Sequence, residues 1–377
     1  SANMLNDVGK RYIKNYIKNK ILTVFSVFSY FFSKKESPEK RILGIWDIEK
    51  SNLALGVLIQ FLTRLLCQAE LKNIKKIDIA FVYDSEKPVT DPKFSSYINA
   101  SNLHYHLAEI IPILNTTPKL GSVLFFDSHS NFEYFLAENS ARYHIEPRFS
   151  EYAKGVTAIE WSFAVIRDFY LKKKFVPQLE FKQTTIKWAK AFIKKYAGDK
   201  SIISINLRFN SQFTPDRNAD LEAWSKLFKH SNDKYPDIIF VILGRKGELG
   251  DRFKNFPNII FSKDFNTNVE QDLALIHCAL FHMGTTSGLA SLAYFENIPC
   301  VLTNFRVRDE ISNLWLKPES IFPWHNKELK RLIRDKESGD LLVKEFENLL
   351  EKVDKTEWQK RLNLEEIDSG ILEWPYI

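Results

Sequence analysis

The chain of 377 residues is 45% hydrophobic, which is enough apolar material for two cored domains. Its formal charge of +6 is unevenly placed: residues 1–40 hold eight Lys or Arg against three acids, so the remaining body is almost neutral and is no general nucleic-acid-binding surface. Cys67, Cys278 and Cys300 lie far apart with no Cys-x-x-Cys, excluding a disulfide framework and a zinc site and fitting a reducing compartment.

Residues 4–40 read as a basic amphipathic helix. Ile13, Ile17, Ile21, Val24, Phe28 and Phe31 recur at spacings of three and four, and lysines crowd the first half. The apolar run from Ile21 to Phe32 is shorter than the roughly 20 residues that span a bilayer, and no small-residue cleavage site follows it. The expectation is a helix lying in the membrane interface on the cytoplasmic side; the alternative is a helix docked on the protein itself or on a second subunit.

From residue 41 onward β and α signals alternate. Strands are predicted at Ile42–Trp46, Ile77–Tyr83, Ser122–Phe126 and Tyr143–Ile145, with helices at Leu53–Leu71, Tyr105–Leu114 and Asn131–Glu138. Two helices, Ala158–Lys172 and Thr184–Tyr196, separated by Pro177, lead into a restart of the pattern. That second half has strands at Ser201–Leu207, Ile238–Leu243, Asn258–Phe261 and Cys300–Thr303, and helices at Ala219–His230 and Val269–Cys278. A charged helix is predicted at Leu341–Leu364. Runs of apolar strand joined by helices predict parallel sheets covered on both faces. The organisation expected is thus 4–40 helix, 41–180 first Rossmann-like domain, 181–345 second Rossmann-like domain and 346–377 C-terminal helix and tail.

Glycine is scarce, 13 in the chain, yet Gly244, Gly247, Gly250, Gly284 and Gly288 fall within 45 residues. In a doubly wound sheet, ligands bind beyond the carboxyl ends of the strands. Three loops meet that condition: Arg208 to Asp220 with Arg217, Gly244-Arg245-Lys246, and Gly284-Thr285-Thr286-Ser287-Gly288. The last brings hydroxyls and backbone amides between two glycines ahead of a small-residue helix, a pattern suited to phosphate. Arg208, Arg217 and Arg245 supply cations for a diphosphate. The competing reading is a helix cap at Ser287 and surface ion pairs for the arginines. The chain has no Gly-x-x-x-x-Gly-Lys-Ser/Thr, Gly-x-Gly-x-x-Gly, Gly-x-Ser-x-Gly or His-Glu-x-x-His motif and no Asp-x-Asp pair to hold a divalent ion on a diphosphate. No metal and no separate cofactor is expected.

The segment from His282 to Ala293 with Ile298-Pro299-Cys300-Val301, and the stretch Asn206-Leu207-Arg208 with Pro215-Asp216-Arg217-Asn218-Ala219-Asp220, resemble the nucleotide-binding half of GT-B glycosyltransferases. The likeness is to the heptosyltransferase-like and fucosyltransferase-like bacterial enzymes and covers roughly residues 200–305. It implies an α/β GT-B fold with two Rossmann-like domains facing a cleft. It further implies a nucleotide-sugar donor whose phosphates approach Thr285, Thr286, Ser287 and Gly288, and an acceptor held by the N-terminal half, here a membrane-associated or lipid-linked saccharide of a bacterial surface glycan. Where heptosyltransferases usually have Gly-Asp in the first loop, this chain has Ile45-Trp46-Asp47-Ile48-Glu49-Lys50, so the base must be sought among strand ends. Asp47 is the first candidate, ahead of Asp127 and His129, with Glu49 and Asp84 behind them; each could instead cap a helix. Other expectations for such a chain are a pyruvyl transferase, a nucleotide-sugar epimerase or an inactive membrane scaffold.

Overall fold

A computed structural model describes residues 39–51, 53–89, 98–155, 162–210, 215–305 and 321–368. The predicted basic helix falls almost wholly outside these residues. Among those described, no helix is long and apolar enough to cross a membrane.

The chain divides into two compact units, one containing Ser1–Asn52, Gln68–Leu103 and Lys119–Glu160, the other Leu53–Cys67, His104–Pro118 and Trp161–Ile377. Two stretches of the first hundred or so residues therefore belong to the second unit.

The first unit holds a four-stranded sheet of β1 (Arg41–Asp47), β2 (Ile77–Val82), β3 (Leu120–Phe126) and β4 (Tyr143–Glu146) in the order β3-β2-β1-β4. Every pairing is parallel. Leu43, Ile45, Ala80 and Val82 point to one face, as the two-residue period of a strand requires, and pack against Phe132, Leu136 and Tyr152. Phe132 and Leu136 sit four apart on a helix at His129–Asn139, whose first turn is capped by Ser128 accepting from the Asn131 amide.

The second unit holds six parallel strands in the order β10-β9-β8-β5-β6-β7: β5 (Ser201–Asn206), β6 (Ile238–Leu243), β7 (Ile259–Phe261), β8 (Phe281–Thr285), β9 (Cys300–Thr303) and β10 (Lys330–Leu332). Read from β7, this is the doubly wound order 3-2-1-4-5-6, and the four-stranded sheet has its first four positions, 3-2-1-4. Both sheets are thus Rossmann-like. Strands β5, β6, β8 and β9 are buried along their whole length, which explains the continuous apolar run of β6. Beneath them, Phe240 lies between Phe228 (ring centroids 5.0 Å) and Phe346 (5.9 Å), and Phe346 also meets Phe281.

Three local readings of the sequence are modified. The helix expected to Leu114 is α-helical over Leu103–Ile110 and tightens to a 3-10 turn at Ile111–Thr116, where Pro112 has no amide hydrogen to donate. The charged C-terminal helix is two, Gly339–Lys352 and Lys355–Leu362, because Asp354 leaves the helical conformation to cap the second through the Glu357 amide. Strand β10, three residues with two cations, carries too little apolar signal to be read from sequence.

Candidate functional site

In the first unit the switch point of the sheet lies between β1 and β4, and Asp47 ends β1 there. The Asp47 carboxylate is 3% exposed and well supplied with donors. Oδ1 accepts from the Glu49 amide at 3.1 Å, and Oδ2 accepts from Tyr152 Oη at 2.9 Å and contacts His129 Nε2 at 3.0 Å. Lys50 Nζ stands 3.4 Å from the same oxygen and 4.0 Å from the Tyr152 ring centre. Burial pushes the Asp47 carboxyl up, but the His129 hydrogen bond and charge, Lys50 and Tyr152 outweigh it, so its pKa is lowered. His129 is raised above its ordinary value, chiefly by the hydrogen bond to Asp47 against the opposing effect of burial. Its side chain is 32% exposed.

This geometry divides labour between two residues that the sequence offered as rivals. Asp47, enclosed and saturated with donors, is suited to orient an imidazole; His129, half-buried, is suited to take a proton. Asp127 is exposed and accepts from Asn131 Nδ2, outside that contact. Asp84 accepts the amides of Glu86 and Lys87, shaping its own turn. Lys50 and Tyr152 had no signal in the sequence, since nothing in a lone Tyr 105 residues from Asp47 marks it as a partner. The sequence points to no metal, yet Asp47, Glu49 and His129 bring one ligand atom each within 4.8 Å of one another, a set able to hold a cation. The Lys50 ammonium already supplies positive charge to the carboxylate at its centre.

In the second unit the switch point lies between β5 and β8, and the loop from Gly284 to Gly288 leaves β8 there. Its three hydroxyls differ. Thr285 Oγ1 accepts the Arg208 amide at 3.1 Å and is buried. Thr286 Oγ1 donates to the Asn304 carbonyl at 3.1 Å. Ser287, half-buried, accepts from Asn206 Nδ2 at 2.6 Å. Arg217 reaches the same loop, donating to the Thr286 carbonyl at 2.9 Å. Arg208, Arg217 and the hydroxyl loop are thereby brought together. The helix after the loop is only Ser291–Phe295, with no side-chain cap, so Ser287 is no helix cap and the short helix contributes little dipole.

The glycines of this loop make room for protein. A Cβ on Gly284 would stand 2.4 Å from both the carbonyl and the Oδ1 of Asn206, and one on Gly288 would stand 3.0 Å from Leu55 Cβ and 3.2 Å from the Gly56 nitrogen. The third loop is shaped by Gly244 (φ +136°) and Gly247 (φ +79°) and borders a cavity of about 240 Å³ lined by Leu207, Ile242, Leu249 and Phe261. Glu248 ties this loop to the first by accepting the Phe209 amide at 3.0 Å. Arg245 donates to Glu109 at 2.9 Å, so any anion there competes with a carboxylate.

No protein-family profile matches the chain, and no curated protein matches it. Among solved structures it is similar to a glycosyl transferase family 9 protein from Veillonella parvula, with 11% identity over 88% of this chain and 99% of that one and a TM-score of 0.49. It is also similar to the E. coli ADP-heptose LPS heptosyltransferase II, with 14% identity, 83% and 99% coverage and a TM-score of 0.48. A third is an E. coli heptosyltransferase solved with ADP, with 12% identity, 83% and 99% coverage and a TM-score of 0.43.

Proposed function

We propose that the protein is a glycosyltransferase that moves a sugar from a nucleotide-sugar donor to a hydroxyl of a saccharide acceptor. The observation that carries this reading is the imidazole–carboxylate pair of His129 and Asp47 at the carboxyl end of β1. In the proposed step neutral His129 takes the acceptor hydroxyl proton as that oxygen bonds to the anomeric carbon. The bond from that carbon to the diphosphate oxygen breaks, and the nucleoside diphosphate leaves with the electron pair. The second unit holds the donor, with Thr285, Thr286, Ser287, Gly288 and the loop at Gly244 around the diphosphate and Arg208, Arg217 and Arg245 as cations; fixed donors of this kind stabilise a leaving phosphate. These cations take the part a divalent ion plays elsewhere, so transfer proceeds without metal. The basic segment 4–40 holds the enzyme at the cytoplasmic face of the membrane, where a lipid-linked surface-glycan precursor is the acceptor.

A panel of nucleotide sugars, with and without lipid-linked saccharides and with EDTA present, tests this. Nucleoside diphosphate should appear only as an acceptor becomes glycosylated, and EDTA should not slow it. Epimerised sugar nucleotide, or nucleotide release indifferent to acceptor, overturns the transfer reading. For the membrane claim, removing residues 4–35 should abolish co-sedimentation with anionic liposomes while leaving a protein that still unfolds cooperatively on heating; undiminished sedimentation refutes it.

A further inference from the structure

The buried face between β5 and β8 carries three polar side chains, Ser204, His282 and Asn206, that the proposed reaction does not use. Strand period two places Ser204 and Asn206 on one face of β5, and the register sets them opposite His282 and Gly284 on β8. His282 Nδ1 lies 2.8 Å from Ser204 Oγ, and its Nε2 lies 2.7 Å from Asn206 Oδ1. Asn206 Nδ2 donates to the Thr285 carbonyl at 2.8 Å and to Ser287 Oγ at 2.6 Å.

The direction of each of these hydrogen bonds follows from one acceptor. A carbonyl cannot donate, so the Asn206 atom facing Thr285 is the amide nitrogen, and the atom facing His282 is the oxygen. His282 Nε2 must then carry the hydrogen, Nδ1 must accept, and the Ser204 hydroxyl must donate. Burial holds the His282 pKa down at about 3, so the imidazole stays neutral and keeps this tautomer throughout the physiological range. At the far end Ser287 Oγ receives a hydrogen from Asn206, and its own proton finds no acceptor among the described residues. Gly284 belongs to the same device, since a side chain there would displace Asn206.

We propose that His282 is a positioning residue: it locks Asn206 so that the Ser287 hydroxyl meets a bound phosphate group as a hydrogen-bond donor. This rests on the reading of the Gly284 to Gly288 loop as a diphosphate site. Water excluded around Ser204, His282 and Asn206 makes the lock stiff, because a flipped amide or the other tautomer would leave two buried groups unpaired.

Calorimetric titration of the full chain with inorganic pyrophosphate tests the proposal in wild type, Ser287→Ala, His282→Met, His282→Gln and the double variant Ser287→Ala with His282→Met. Ser287→Ala should weaken binding about tenfold, the worth of a hydrogen bond to a charged group. His282→Met should lose as much, His282→Gln should recover most of it by restoring a donor to Asn206, and the double variant should be no weaker than either single one. Additive losses, or no recovery with Gln, assign His282 a purely structural role and overturn the proposal. No pyrophosphate binding by wild type, or none lost in Ser287→Ala, instead overturns the diphosphate reading and the proposal with it. If the Met variant does not fold, nitrogen-15 histidine spectra of wild type decide: a signal for a neutral ring protonated at Nε2 that does not titrate between pH 5 and 8 is expected for His282, and the other tautomer or a titration in that window overturns it.

Discussion

A carboxylate taken out of water keeps its charge only where partners replace the lost hydration, and Asp47 has the Glu49 amide, the Tyr152 hydroxyl, His129 and Lys50. The Asp47 hydrogen bond and charge in turn raise His129, against burial and the Lys50 charge, and His129 must be neutral to accept a proton. Activity should therefore rise with pH through an apparent value above 6.5, the ordinary one for histidine. Asp47→Asn removes the anion that raises it, so the limb should move to lower pH while kcat falls on the order of 100-fold; a pH profile of kcat/KM checks both. Stability carries a separate pH signature. His282 and His325 are buried neutral, with pKa values driven down mainly by burial. The unfolded chain binds these two protons near pH 6.5 and the folded chain does not. The contribution of these two groups is thus complete well above 6.5 and falls below it, by about 1.4 kcal/mol per pH unit for each histidine. Urea unfolding between pH 7 and 5 measures this, and the slope should be shallower by one histidine in His282→Gln.

At the scale of elements, β6 was legible because a buried parallel strand is a continuous apolar run, as Ile238 to Leu243 shows, whereas β10 with its two cations was not. The Val269–Cys278 helix was legible to the residue, and the structure supplies its reason in the capping box of Asn268 and Gln271. The site was legible in its parts. The hydroxyl loop and the ends of β1 and β3 stood out as chemistry, but which of Asp47, Asp127 and His129 meet depends on tertiary contacts that no spacing encodes. Ser204, Asn206, His282 and Gly284 do show a signal, two pairs at strand period, that acquires meaning only with the β5–β8 register. Phe346 is fully buried between Phe240 and Phe281, so Phe346→Ala should cost about 3–5 kcal/mol in chemical denaturation. Gly284→Ala should cost about 1–3 kcal/mol through the clash with Asn206, and should weaken pyrophosphate binding by more than its loss of stability accounts for.

For the molecule as a whole, all three cysteines are buried thiols, and burial raises those of Cys278, to about 11, and of Cys300. The thiolate is the reactive form, so native protein should react with a thiol reagent no faster than it opens, and all three groups should react at once in denaturant; a rapid single-thiol phase in the native state refutes this. The assignment of Leu53–Cys67 and His104–Pro118 to the second unit has a consequence for how the chain is made. Asn115 meets Glu270, 155 residues later, and Thr185, which lies between them in sequence, meets the other oxygen of the same carboxylate. At about 5–20 residues per second, a ribosome takes roughly 10–30 s to cover that distance. Throughout it Phe61, Leu62, Leu65 and Leu66, destined for complete or near-complete burial, wait for the rest of their unit. These two segments are thus without the rest of their unit until the second half of the chain exists, and a fragment ending between the two would present to chaperones the apolar surface that the whole protein conceals.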